Sequence, residues 1–250
     1  MIPLISRHEI KRLSREELQH FVTENLRRLA EDEALAVLDN PYCFTPVCQV
    51  IAQNQRLVSL YSVRLKLVAH RATPQAHAVK LIHYLYFTDL VRLSVEVKIP
   101  SQVRRAIDGQ LLLRIKDLSL GEKVATARRC SHALITALLF DPSPKVFASL
   151  LINQRLREDD LLLLASSPRA QTAQLQLLAD DRKWSYRYAI RKALAMNPAT
   201  PRSIAASQLR FLTRRDRRLI HSRPDTSVYL RRCIERLDRA DFSADVERIE

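Results

Sequence analysis

The chain has 250 residues, 47% of them hydrophobic, and carries a formal net charge of +14. This apolar fraction is ordinary for a folded protein and argues against disorder. There are two glycines, Gly109 and Gly121, whereas a βαβ unit, a phosphate-binding loop or a hairpin-rich β fold needs glycine at positive φ. The composition therefore predicts an all-α protein.

The N-terminal residues differ from the rest of the chain. Ser14 and Glu17 have the spacing of a capping box, and apolar residues such as Leu18, Val22 and Leu29 follow on one helical face. We expect residues 1–34 to form an N-terminal capping helix region. Residues 1–13 lack the long apolar run of a signal peptide, and no later run is long enough to span a bilayer. A cytoplasmic location is therefore expected.

From residue 35 onwards the sequence repeats itself. Residues 67–82 (LVAHRATPQAHAVKLI) and 194–209 (LAMNPATPRSIAASQL) match at an offset of 127, and the match extends back to residues 61–64 and 188–191. Related segments define eight anchor positions, five of which carry proline: 41, 71, 97, 118, 142, 168, 198 and 224. The seven intervals cover 183 residues and average about 26, a period that is typical of a solenoid.

Each clear copy reads as a helix end, a corner and a new helix start. Pro198 cannot extend the preceding helix, because its ring clashes with the previous turn and it lacks an N–H. We expect Thr200 to cap the next helix and Pro201 to be its first residue. The same start is predicted for three other pairs: Thr45 with Pro46, Thr73 with Pro74, and Ser143 with Pro144.

Apolar spacing predicts two short helices per repeat, which need neighbouring repeats to cover their apolar faces. The array is predicted to span residues 35–237 in about eight helix pairs, and residues 238–250 to form an acidic C-terminal tail or cap. The alternative is an irregular helical domain whose turns happen to contain proline.

The frame of Arg191, Leu194, Asn197, Thr200 and Pro201 resembles HEAT-like and leucine-rich repeat variant (LRV) proteins of bacteria. The resemblance implies a right-handed α-solenoid, a superhelix of paired helices with a concave inner surface. Such families bind proteins or nucleic acids, and one HEAT-like branch contains DNA glycosylases that act on alkylated purines. Some variant-repeat proteins carry an iron–sulfur cluster, which is not carried over because the four-cysteine cluster is missing.

The four cysteines and seven histidines do not show the spacing of a metal site. Cys43 and Cys48 form a weak pair, and His70 is predicted to lie in a turn. We therefore predict buried or incidental thiols, no metal and no cofactor. No nucleophile elbow and no small-molecule site is evident, so the chain is predicted not to be an enzyme.

Positive charge is concentrated in the last third of the chain. Residues 182–239 contain sixteen Lys and Arg against four Asp and Glu, so they carry +12 of the net charge. Successive repeats would align these side chains into a stripe that binds nucleic acid or an acidic protein; a solvated face, or arginines paired with carboxylates, is the alternative. The predicted polyanion-binding residues are Arg187, Arg191, Lys192, Arg214, Arg215, Arg217, Arg218, Arg231 and Arg232.

Two other functions remain open at this point. A glycosylase of the HEAT-like type would use an acidic residue beside aromatic rings, and Asp181 with Trp184 is the best candidate pair. Acidic residues before a helix more often stabilise its N-terminus. The second alternative is a protein–protein scaffold that does not bind nucleic acid.

Overall fold

The computed structural model of the protein describes residues 6–246, with side chains as far as Ala240. Within this part of the chain all regular structure is helical, comprising eighteen α-helices and one 3₁₀ segment. This confirms the predicted all-α class. Parts of the predicted terminal regions, residues 1–5 and 247–250, lie outside the described residues. None of the described helices is long and apolar enough to cross a bilayer.

The chain divides into two compact units, one ending at Leu118 and the other beginning at Ser119. The first contains α1 (Arg7–Ile10), α2 (Arg15–Asn25), α3 (Glu31–Asp39), α4 (Thr45–Gln53), α5 (Gln55–Ser59), α6 (Tyr61–Ala69), α7 (Gln75–Ile82), α8 (Phe87–Ser94), α9 (Ser101–Arg114) and the 3₁₀ segment Ile115–Asp117. The second contains α10 (Leu120–Ala127), α11 (His132–Leu138), α12 (Pro144–Leu151), α13 (Glu158–Ala165), α14 (Thr172–Asp180), α15 (Tyr188–Met196), α16 (Arg202–Leu209), α17 (Arg214–Ser222) and α18 (Val228–Val246).

All eight anchor positions lie in short connections between helices. Positions 41, 71, 97 and 118 follow α3, α6, α8 and the 3₁₀ segment, and positions 142, 168, 198 and 224 follow α11, α13, α15 and α17. Helices that are two apart in sequence pack together: α3 lies against α1, and α12 lies against α10 and α14. The helix α3 also packs against α6, three helices further along the chain. The predicted corners between helices are therefore present, but the predicted two helices per repeat do not hold throughout, because the interval from 41 to 71 contains three, α4, α5 and α6.

The predicted region boundaries do not coincide with helix ends. The boundary at 34/35 falls inside α3, and the boundary at 237/238 falls inside α18. The helix α18 continues to Val246, so the start of the predicted acidic tail is helical.

The prediction that threonine caps each new helix is wrong for all three threonine pairs, and in two of them the proline is the N-cap instead. Pro201, with ψ of 133°, is the N-cap of α16, and Pro74 has the same place before α7. The Thr200 hydroxyl is buried and has no hydrogen-bond partner among the described residues. The chain stays extended through the proline, so the threonine lies one residue too early to cap, and its side chain packs inward instead.

The other two pairs start their helices differently. Thr45 is the first residue of α4 and Pro46 the second, so Thr45 is not a cap. Ser143 is the N-cap of α12 with Pro144 first, as predicted, although its hydroxyl caps no amide. The predicted capping box is confirmed: the Ser14 hydroxyl accepts a hydrogen bond from the Glu17 amide, and the Glu17 carboxylate accepts one from the Ser14 amide.

Buried asparagines join successive corners within each unit. The Asn197 side-chain amide donates to the carbonyl oxygens of Ala165 (2.6 Å) and Ser167 (3.0 Å), and its Oδ1 accepts from the Ala199 N–H (2.9 Å). These carbonyls lie at the end of α13, where no intrahelical donor is available. Two other asparagines do the same: Asn40 with Ile10 and Leu13, and Asn153 with Ala127 and Cys130.

Candidate functional sites

One predicted surface residue, Arg191, belongs to a structural network that occurs once in each unit. Its Nε donates to the Ser185 carbonyl at 2.9 Å, and its guanidinium lies over the Phe211 ring. Arg64, 127 residues earlier, donates to the Val58 carbonyl at 3.1 Å and lies over the Tyr84 ring. The Arg191 side chain is therefore held in place by contacts within its own unit, and Arg64 is held by the equivalent contacts in the other.

The tyrosines that precede these arginines form matching contacts. The Tyr188 hydroxyl hydrogen-bonds the Asp216 carboxylate and accepts from the Thr213 N–H at 3.2 Å. Tyr61 does the same with Asp89 and with the Tyr86 N–H, also at 3.2 Å. The matching sequence segments thus mark a structural network, which holds the start of α17 in one unit and of α8 in the other.

Other members of the predicted set also have structural partners. Arg217 is 3% exposed, and its Nε donates to Asp238 at 2.9 Å, so this guanidinium is not accessible to an external polyanion. Arg231 donates to the Arg223 carbonyl at 2.8 Å. Arg187 lies 3.8 Å from the Glu158 carboxylate, and Arg214 and Arg232 are exposed.

Three of the predicted residues line one open depression of about 730 Å³ in the second unit: Lys192, Arg215 and Arg218. Arg215 and Arg218 come from the start and middle of α17 and are exposed, and Lys192 reaches the depression from α15. The structure thus brings together side chains that lie 26 residues apart in sequence.

The depression also contains one carboxylate, Asp216. Lys192 Nζ lies 2.8 Å from Asp216 Oδ1, and this hydrogen bond, followed by that from Tyr188, lowers the pKa of Asp216. Asp216 is therefore ionised at neutral pH. It offsets one of the three cations and leaves a local charge of about +2.

The alternative catalytic pair has structural roles. Asp181 Oδ1 accepts hydrogen bonds from the amides of Lys183 (2.8 Å) and Trp184 (3.1 Å), so it caps a turn. Trp184 is 5% exposed, and the Lys183 ammonium lies 4.4 Å from the centre of its ring. An indole buried in this way offers no open face to a base.

The first unit contains a cluster that the sequence did not predict. Cys43 Sγ lies 3.6 Å from Cys48 Sγ, and Cys48 Sγ lies 3.3 Å from His70 Nδ1. The three ligand-type atoms all lie within 4.8 Å of one another. The Cys43 hydrogen bond lowers the pKa of Cys48 to about 5 against the opposing effect of burial, and the same contact raises the pKa of Cys43.

His70 occupies a corner slot of the repeat. Its Nδ1 accepts from the Ala72 N–H at 3.2 Å, as Asn197 Oδ1 does from the Ala199 N–H. A histidine in place of asparagine keeps the turn and adds an imidazole beside Cys48. This substitution within the aligned repeat was the signal in the sequence, but the alignment alone does not show that the slot packs beside Cys48.

The cluster borders an open cavity of about 520 Å³, which Cys43 and His70 both line. The cavity wall also carries four charged side chains: Asp39, Lys66, Arg71 and Lys98. Burial acts to raise the pKa of Asp39, but hydrogen bonds from Lys66 and Lys11 lower it below its ordinary value. Arg71 and Lys98 are exposed, so the cavity is positively charged.

No family model, curated protein or solved structure matches this chain significantly.

Proposed function

We propose that the protein is a non-enzymatic helical-repeat protein that binds the phosphate backbone of nucleic acid through the basic depression of its second unit. The observation that carries the proposal is the convergence of Lys192, Arg215 and Arg218 on one open surface. Two of these cations are exposed arginines, whose planar guanidinium groups can donate two parallel hydrogen bonds to phosphate oxygens.

The local charge balance supports a polyanion as the ligand. Asp216 is held by Lys192 and Tyr188, so it neutralises Lys192 first and leaves Arg215 and Arg218 directed to solvent. Binding to several phosphates releases condensed counterions, which gives an affinity that decreases steeply with salt.

The repeat architecture supports an extended binding surface. We infer a right-handed α-solenoid, as the resemblance to HEAT-like and LRV proteins implies. The packing of alternate helices within each unit and the asparagine links between corners support this inference. In such an array equivalent positions of successive repeats lie side by side.

Fluorescence anisotropy with single- and double-stranded DNA and RNA, at about 50 and 200 mM salt, tests the proposal. The test variant is Arg215→Glu with Arg218→Glu. Its matched control is Arg27→Glu with Arg28→Glu, which changes the net charge by the same amount on exposed residues of the turn after α2. We expect the test variant to bind at least about tenfold more weakly and to lose about two units of salt slope, whereas the control keeps most of its affinity.

Two results would contradict the proposal. Absence of binding to every nucleic acid at the lower salt would exclude nucleic acid as the partner and leave an acidic protein as the candidate. Equal loss in both variants would show that net charge, and not this depression, drives binding. The glycosylase alternative is not favoured, because Asp181 caps a turn and Trp184 is buried.

A further inference from the structure

The cluster of Cys43, Cys48 and His70 has the dimensions of a metal site. Tetrahedral zinc with Zn–S of about 2.3 Å and Zn–N of about 2.05 Å requires S···S separations of about 3.8 Å and S···N separations of about 3.6 Å. The observed separations along the cluster are 3.6 Å for the two sulfurs and 3.3 Å for Cys48 and His70. The third separation is at most 4.8 Å, so closing it requires a movement of at most about 1.2 Å.

The three ligands lie on different parts of the first unit. Cys43 lies in the corner after α3, Cys48 is within α4, and His70 follows the last residue of α6. The packing of α3 against α6 places the two corners side by side. The helix α4 therefore holds Cys48, while Cys43 and His70 lie in short connections, an arrangement that lets the cluster contract around an ion.

The charge of this donor set suits a divalent cation. Two thiolates and a neutral imidazole give an uncharged complex with Zn²⁺, so the nearby cations Lys66 and Lys98 do not repel the loaded site. Metal binding replaces the thiol protons of Cys43 and Cys48, so Zn²⁺ binding releases protons. Imidazole Nδ1 would exchange its 3.2 Å hydrogen bond from the Ala72 amide for the metal bond.

Two of the three ligands face the open cavity. Cys43 and His70 line it, whereas Cys48 is fully buried behind them. A fourth coordination position would therefore point toward the cavity, where water or a small anion can approach between Arg71 and Lys98. Three protein ligands with one open position is the pattern of zinc sites that exchange a ligand, whereas structural sites are closed by four protein ligands.

We propose that Cys43, Cys48 and His70 bind one Zn²⁺ ion whose fourth position is open to the cavity. The proposal does not depend on nucleic-acid binding, because the basic depression lies in the other unit.

Cobalt substitution tests the site in the full chain, purified without metal and kept reduced. Co²⁺ bound by two thiolates gives sulfur-to-metal charge-transfer absorption in the near ultraviolet and intense visible bands of tetrahedral geometry. We expect one Co²⁺ per chain, displacement by Zn²⁺, and an increase in thermal stability when Zn²⁺ is added.

Ligand variants and matched controls locate the ion. Cys43→Ser and His70→Gln change the cavity-facing ligands, and we expect each to weaken Zn²⁺ binding at least about tenfold and to change the cobalt spectrum. Cys233→Ser and His77→Gln replace the same residue types outside the cluster and should bind as the unmodified chain does. Cys48→Ser replaces a fully buried thiol and can disturb folding. The helix content of this variant is therefore checked by circular dichroism before metal binding is measured.

Any one of four results would overturn the proposal. The first is that the reduced chain binds neither Co²⁺ nor Zn²⁺ above buffer levels, and the second is a stoichiometry other than one Co²⁺ per chain. The third is that Cys43→Ser and His70→Gln both bind Zn²⁺ as tightly as their control variants. A charge-transfer band that persists in Cys43→Ser and is lost in Cys233→Ser would place the metal elsewhere.

Discussion

The guanidinium carbon of Arg191 lies 3.7 Å from the centre of the Phe211 ring. Arg64 faces Tyr84 in the same way at 5.3 Å, and both arginines also donate to a backbone carbonyl six residues earlier. The sequence match at an offset of 127 is therefore a match of contacts. Arg191 therefore has a structural role in its unit. Residues that differ between the two matching segments are better candidates for a function, such as Lys192, whose counterpart in the first unit is Leu65.

We expect Arg191→Ala to destabilise the protein by about 1–3 kcal/mol. The change removes the contact with Phe211 and leaves the Ser185 carbonyl without its side-chain donor. Arg191→Lys should recover only a small part of the loss, because an ammonium lacks the planar fork. Urea denaturation followed by circular dichroism measures the effect. The exposed Arg215→Ala is the control, expected to stay within about 0.5 kcal/mol, and equal losses in both would contradict a structural role for Arg191.

Asn197→Ala is expected to cost about 2–3 kcal/mol of unfolding free energy. It leaves two helix-end carbonyls, those of Ala165 and Ser167, without their buried donor. Asn197→Asp should be at least as destabilising, because a carboxylate cannot donate to these carbonyls. The exposed Gln176→Ala, in α14 of the same unit, is the control. A cost below about 0.5 kcal/mol for Asn197→Ala would show that water replaces the amide.

Thr200→Val distinguishes the observed helix start from the predicted one. The Thr200 hydroxyl is buried and has no hydrogen-bond partner among the residues that the structure describes, so an isosteric methyl group should be neutral or slightly stabilising. An N-cap role would instead cost about 1 kcal/mol. Thr213→Val is the matched comparison, because Thr213 Oγ1 does accept from the Asp216 amide and caps α17. Thermal unfolding of both variants measures the difference, and a loss in Thr200→Val equal to that in Thr213→Val would restore the capping role.

Asp216 should contribute a pH-dependent part of the stability. Its pKa is lowered in the folded protein, chiefly by the Lys192 hydrogen bond, so the unfolded chain takes up the proton first as pH falls. The contribution is complete above the unfolded pKa of about 3.9 and is lost as pH falls through the lower folded value.

Melting temperatures measured from neutral pH into this acid range test the contribution of Asp216. Asp216→Asn should show a shallower decline than the unmodified chain. Lys192→Gln should show part of the same flattening, because it removes the largest cause of the shift. Identical pH profiles for all three proteins would contradict the assignment.

The sequence predicted the corners well and the details of each corner less well. All eight anchors lie between helices, because proline and the loss of helical spacing are local signals that act through the backbone of a few residues. Thr200 and Pro201 show the limit of such signals. The backbone remains extended for one residue more than predicted, so that the proline and not the threonine is the N-cap. Tertiary packing then decides whether the threonine hydroxyl faces inward.

The candidate sites were less predictable than the fold. Nine basic residues were predicted to bind polyanions, and their sequence positions did not distinguish Arg217, buried against Asp238, from Arg218, which is exposed one residue later. The cluster of Cys43, Cys48 and His70 was missed because its third member is 22 residues from the second. The three ligand atoms come within metal-binding distance of one another only when the corners pack together in the folded chain.

The helical class, the corners and their spacing could be predicted from the amino-acid sequence, because they follow from backbone restriction and from apolar spacing along a few neighbouring residues. The contacts between side chains of different corners, such as Lys192 with Asp216 and Cys48 with His70, could be seen only in the folded chain. Those contacts depend on how each helix rotates to bury its apolar face against helices one repeat away, and that rotation is set by packing over the whole unit.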